Sequence, residues 1–426
     1  MSNYPRTIII GLDGVPLRMI EDFTSNGIMP NTAGLLANGA IKKMRSSIPE
    51  ISSVAWSSII TAVNPAQHGI FGFIDLQPDS YKMKFPNFSD LKAKPFWDKA
   101  GGESVIVNVP STYPVRQMNG VHISGFVSID YEKSIHPKAL VPDLKQMDYR
   151  LDVDATKART SMDEFLEDVD KTLTARIKAY RYLWDNCNWQ TFMLTFTGTD
   201  RLMHFLWNAY EEKGHQHHEF FIDHFRKIDQ AIGEIADKMA EGDALIMLSD
   251  HGFERLDHDV YINYLLAREG FLQFQPGQDP SLNSICPGTK AFALDPGRIF
   301  INLQGKFPNG NVGPQEKDAC LEKLENLFGS LKREGKNVIK YVYRKQDVYE
   351  GPYLNEAADL ILIAESGFNL KGAMTSTELF AKGPFTGKHT YEDAFVMVNN
   401  AKLAEALPDE PSVIDAGKLI AQLTAS

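Results

Sequence analysis

The sequence predicts an α/β protein built on a doubly wound, mostly parallel central sheet with helices on both faces. Three observations carry this reading. Apolar runs of strand length recur along the 426 residues, and they mostly alternate with segments of helical period. Two of these runs, Thr7 to Ile10 and Ala244 to Leu248, empty into polar turns bearing Asp13 and the pair Asp250 and His251. Carboxylates and an imidazole just past buried strands belong to the carboxyl edge of a parallel sheet, where open α/β folds bind their ligands.

Taken in order, Thr7 to Asp13 reads as the first strand, and NTAGLLANGA from Asn31 as a helix ended by Gly39. Ile48 and Pro49 then give way to Ser52 and Ser53 ahead of a nonpolar block ending at Ile60. This block reads as a helix capped by a serine. Further strand-like runs cover Ser104 to Val109, Thr191 to Phe196, Ala244 to Leu248, Arg298 to Ile301, Asp359 to Ile363 and Asp393 to Val398. Two stretches break the alternation. Residues 109–161 are rich in proline and tyrosine, and 270–313 in glycine, proline and asparagine. Both are expected to be lid or rim insertions within a single domain spanning 1–426. No internal repeat or low-complexity linker divides the chain.

Composition narrows the function. The chain is 43% hydrophobic and 23% charged, with a formal charge of -11 and an isoelectric point near 5.5. Nothing here is a basic footprint, so no nucleic-acid polymer is expected as partner. Cys187, Cys286 and Cys320 are few, widely spaced and odd in number, which suits packing residues in a reducing compartment. The amino terminus runs into the first strand without a basic region or cleavage site, and no apolar stretch reaches membrane-spanning length. A cytoplasmic location without membrane association is the expectation. Oligomeric state is left open.

The residues that bear chemistry are ambiguous one at a time. Asp200 and His204, four apart after the strand QTFMLTF, fall on one helix face, close enough to share an ion. A capping aspartate with a surface histidine gives the same pattern. Asp250 and His251 can meet one cation on a tight turn with Gly252, or simply form a polar turn. His389 sits in a Gly-flanked loop before a strand, a place where a lone histidine is ordinarily solvated. At a helix amino terminus the Ser52 hydroxyl feels the positive end of the dipole, near N–H groups that receive phosphate oxygens. An N-cap role, for which Ser53 serves equally well, is the plain alternative.

Their order removes most of the ambiguity. Strand-Asp in GLDG, the serine of IPEISSVAWSSIITAVNPAQHGI, then TGTDRLMH, LSDHGF and GKH resemble the ordered ligand set of the alkaline phosphatase superfamily. The likeness is greatest to its type I phosphodiesterase/nucleotide pyrophosphatase branch and its soluble prokaryotic predicted phosphohydrolases and phosphomutases. It covers nearly the whole chain. It implies a two-metal site, with Asp200, His204 and His389 on one divalent ion and Asp13, Asp250, His251 and the Ser52 oxygen on the other. Three carboxylates and three imidazoles suit Zn2+, with Mn2+ the main competitor. His68 is no ligand in this pattern and is read as a structural hydrogen-bonding residue.

The chain departs from the family pattern in two places. Threonine is the usual nucleophile where Ser52 stands, and Phe73 occupies the place of an asparagine that binds a phosphate oxygen. Ser53, Lys388, Lys290 and Arg298 are candidate replacements for that contact, although an ion-paired strand residue describes Arg298 equally well. The resemblance thus implies a metal-dependent phosphodiesterase acting on a nucleotide-like or other small organic phosphodiester through a phosphoserine-type intermediate. A phosphomonoesterase or phosphomutase at the same site is the alternative. A sulfatase is disfavoured because the C/S-x-P-x-R signature is absent. A metal-binding scaffold without catalysis fits poorly with a complete ligand set.

Overall fold

The computed structural model describes residues 5–425. The chain divides into two compact units, the first made of 1–63, 87–254 and 389–426 and the second of 64–86 and 255–388. Residues 270–313, expected as a rim insertion, instead supply two strands to the second unit's own sheet. Residues 109–161 stay in the first unit.

The first unit carries β1 (Thr7–Leu12), β2 (Ala40–Met44), α1 (Ser52–Thr61), β3 (Ser104–Val109), β4 (Gly120–Ser124), β5 (Ile135–His136) and α2 (Met162–Asn186). After these come β6 (Thr191–Phe196), α3 (Gly198–Glu211), α4 (His218–Asp237), β7 (Ala244–Leu248), β8 (Ala394–Val398) and α5 (Val413–Thr424). Eight strands form one sheet in the order β2-β8-β7-β1-β6-β3-β4-β5. Its central pairs are parallel, with Ile9 opposite both Met193 of β6 and Ile246 of β7. β8 runs antiparallel between β2 and β7, and β5 is antiparallel to β4.

Every residue of β1, β3, β6, β7 and β8 is buried. That pattern requires cover on both faces, and it explains why these strands read as continuous apolar runs rather than alternating ones. Ile8, Ile10, Phe192, Leu194, Leu245 and Met247 form the centre of this core. Among the covering helices, α2 starts at Ser161, whose hydroxyl accepts from the Glu164 N–H at 3.3 Å. α1 packs against α5.

In the second unit, strands Ala291–Leu294, Arg298–Ile301, Leu360–Ala364 and Ile339–Arg344 form an antiparallel sheet in that order. Two of these runs were assigned from sequence to the doubly wound sheet. Apolar periodicity identifies a strand without naming its partner. Of the three cysteines, Cys320 is buried while Cys187 and Cys286 are partly exposed, and all are free thiols.

Candidate metal centre and nucleophile

All seven residues implied as ligands or nucleophile lie in the first unit, along one edge of its sheet. Asp13 follows β1, Asp250 and His251 follow β7, and Asp200 and His204 lie on α3 just beyond β6. β8 is antiparallel to β7, so His389, a few residues before β8, arrives at that same edge.

Ser52 is the first residue of α1, and Ile51 holds the cap position without any side-chain capping bond. The expected serine cap is thus not formed. Instead the Ser52 hydroxyl faces inward, 3.2 Å from His251 Nε2 and 3.4 Å from Asp13 Oδ1. One turn along, Trp56 is fully buried above Gly11. A Cβ at Gly11 would come within 2.5 Å of the Trp56 ring and 2.9 Å of Thr195 Oγ1. Glycine there lets α1 lie close on β1, which sets the serine over Asp13. Gly14, at φ +74°, turns the chain after Asp13 and donates its N–H to Asp250 Oδ1 at 3.0 Å.

Two clusters result. His389 Nε2 lies 3.0 Å from both Asp200 Oδ1 and His204 Nε2, and His204 Nε2 lies 3.4 Å from Asp200 Oδ1. His251 Nε2 lies 3.3 Å from Asp250 Oδ2 and 3.8 Å from Asp13 Oδ1. The clusters adjoin, because the His251 and His389 rings stack with centroids 3.7 Å apart. His251 offers its donor atom within 4.8 Å of Asp200 and His389 as well as of Asp13 and Asp250.

Hydrogen bonds behind the ligands set their tautomers. The His389 Nδ1 is 3.0 Å from the Glu50 carbonyl oxygen and the His251 Nδ1 is 3.0 Å from that of Gly252. Each Nδ1 thereby carries the proton it donates, and each Nε2 is the nitrogen turned into the cluster. The Asp13 backbone carbonyl accepts the Thr199 hydroxyl at 2.6 Å, tying the end of β1 to the start of α3.

The electrostatics call for cations. Burial, together with the neighbouring Asp250 and Asp200 charges, pushes the Asp13 carboxyl well above its usual range. Burial pushes Asp250 up to about 6. His251 is driven down by burial and by His389, so it stays neutral. Although burial also opposes ionisation of Asp200, His204, His389 and Arg201 outweigh it and hold that carboxyl low. Asp13 Oδ2 and Asp250 Oδ2 are buried without any hydrogen-bond partner. Carboxylate oxygens left bare beside the neutral His251 ring are a donor set that fits divalent metal.

A family model for type I phosphodiesterase/nucleotide pyrophosphatase matches residues 7–392. The chain belongs to this family. As a member of the type I phosphodiesterase/nucleotide pyrophosphatase branch of the alkaline phosphatase superfamily, it is a metal-dependent hydrolase of phosphoester bonds. Two solved structures of phosphonoacetate hydrolase from Sinorhizobium meliloti 1021 share its fold. The complex with phosphonoformate matches at 17% identity and a TM-score of 0.66, and the complex with phosphonoacetate at 16% and 0.65. Each alignment covers 99% of this chain and 96% of the other. No curated protein matches the sequence. Among the described residues no helix is long and apolar enough to cross a membrane.

Of the four candidate phosphate contacts in this phosphodiesterase-family chain, Ser53 alone belongs to the unit that holds the clusters. Its hydroxyl is buried next to Ser52 and has no hydrogen-bond partner. Arg298 takes the ion-paired strand role that the sequence allowed equally. It is 1% exposed, with Nη1 on Asp75 Oδ1 at 2.6 Å, Nε on the Asp295 carbonyl at 2.8 Å and Nη2 on that of Ile74. Lys290 is exposed and Lys388 buried, both in the second unit, as is Phe73. His68 is fully buried, accepts the Ile70 N–H at 3.2 Å and is held neutral by burial, which pushes it down to about 3. Sequence reasoning missed Arg201, Trp56 and the two carbonyls that fix the histidine tautomers. For Arg201 a signal was present, since it adjoins Asp200 in TGTDRLMH.

Proposed function

We propose that this protein is a two-metal phosphodiesterase that cleaves a nucleotide-like or other small organic phosphodiester by forming a phosphoserine intermediate at Ser52. The observation that carries the reading is the Ser52 hydroxyl, inward-facing at the start of a ten-residue helix and against both His251 and Asp13. Serine at its free pKa is a poor nucleophile and needs an adjacent activating group. Asp200, His204 and His389 would hold one divalent ion, and Asp13, Asp250 and His251 the other. Bound there, the pair supplies positive charge for the attacking and leaving oxygens. Beside that second site lies the Ser52 hydroxyl, and the amino-terminal N–H groups of α1 would receive the phosphoryl oxygens. Zn2+ is the proposed metal, with Mn2+ its rival. The proposal includes a cytoplasmic location, which three free thiols support.

Protein loaded with Zn2+ or Mn2+ should hydrolyse bis-p-nitrophenyl phosphate faster than p-nitrophenyl phosphate. Preference for the monoester moves the assignment to a phosphomonoesterase or phosphomutase, and turnover of neither, with both ions bound, to a scaffold. His389→Ala is expected to lose one of two metal equivalents counted by inductively coupled plasma mass spectrometry. Retention of both would take His389 out of the centre.

A further inference from the structure

Arg201 is a cation in the first turn of α3, where the positive end of the helix dipole disfavours one. Its guanidinium is nevertheless held on three sides. Nη2 donates to Asp152 Oδ2 at 2.8 Å, Nη1 lies 3.5 Å from Asp200 Oδ2, and the Phe126 ring covers its face with 4.3 Å to the centroid. Nε is buried with no hydrogen-bond partner, and so is Asp152 Oδ1. A buried orphan on each member of an ion pair is a cost that surface charges do not bear.

The two oxygens of Asp200 divide their work. Oδ1 faces His389 and His204, while Oδ2 is turned to Arg201. A carboxylate free to rotate about Cβ–Cγ can present either oxygen, or both, to an ion. Pinning Oδ2 removes that freedom and leaves Oδ1 to the cluster. Arginine commonly engages one carboxylate with both arms. Here the arms are shared between two carboxylates, Nη2 to Asp152 and Nη1 to Asp200.

We propose that Arg201 is a positioning residue that fixes the ligand pose of Asp200, and that residues 109–161 serve the centre by supplying Asp152 and Phe126 to hold it. This rests on the two-metal reading above. It gives the irregular segment a role that does not require it to move.

Isothermal titration of chelator-stripped protein with Zn2+ tests it without any activity readout. The parent should take up two equivalents. Arg201→Met, which keeps an aliphatic stem against Phe126, should weaken one of them about 10–100-fold and leave the other unchanged. Arg201→Lys should recover part of that loss, and Asp152→Asn should weaken the same equivalent less. Thermal melts of the stripped variants report folding separately. Parent-like affinity at both sites in Arg201→Met overturns the proposal. So does equal weakening of both equivalents with a lowered melting temperature, the signature of a purely structural residue. A parent that takes up no metal fails at an earlier step, overturning the two-metal reading itself.

Discussion

Ser52→Ala should reduce bis-p-nitrophenyl phosphate turnover by on the order of 10^3-fold or more while leaving both metal equivalents in place. The two effects separate because the serine supplies the bond-forming oxygen, whereas six other side chains supply the donor atoms. Folding should survive, since the substitution removes one hydroxyl from a helix whose packing depends on Trp56, Ile59 and Ile60. Ser53→Ala distinguishes the neighbours. If it abolishes turnover and Ser52→Ala does not, the nucleophile is one residue further along and the inward-facing hydroxyl at Ser52 has been misread. Loss of metal in Ser52→Ala would instead make the serine primarily a ligand.

The second large effect concerns stability. In the metal-free protein Asp250 is raised from 3.8 to about 6, with Asp13 raised beside it. A carboxyl raised on folding contributes stability that is complete below its unfolded value and is lost as pH rises through the folded one. Metal-free protein should therefore lose stability from these two groups between about pH 4 and pH 7, as buried carboxylates are forced to ionise next to each other. Bound divalent ions reverse the sign, because they require those same anions. The rise in melting temperature on adding Zn2+ should reach on the order of 5–10 °C at pH 7.5 and nearly vanish at pH 5. The buried His122 and His224, pushed down by burial to about 3 and about 4, oppose the trend between pH 6.5 and 4. They do so with or without metal, and the difference between paired melts cancels them. An equal gain at pH 5 and pH 7.5 would mean that Asp13 and Asp250 are not the groups the ions displace protons from.

Much of the central architecture is legible in the sequence, for a physical reason. Strands covered on both faces must be apolar throughout, so Ser104–Val109, Thr191–Phe196 and Ala244–Leu248 matched their expected bounds. The helix expected from Asn31 is observed as Pro30–Leu36, short of Gly39. Sheet membership was not readable. Arg298–Ile301 carries the same apolar signal as a central strand, yet its partners are antiparallel and lie in the second unit.

The site was legible in its parts through their order along the chain. No local pattern of Asp200, His251 or His389 says which atoms will meet. The signal at Arg201, its adjacency to Asp200, was ambiguous because such an arginine resembles any solvated helix charge until Asp152 and Phe126 are folded against it. Ser52 had two readings in sequence, and its hydroxyl turns to Asp13 and His251 rather than to its own backbone.

The span between Asp13 and His389 has a biosynthetic consequence. Asp13 leaves the ribosome long before His389, and the β8 strand follows directly after His389. A half-made chain can neither close its sheet between β2 and β7 nor assemble the full donor set. On the proposed two-metal reading, hydrolytic competence is thereby withheld from any chain that stops short of β8.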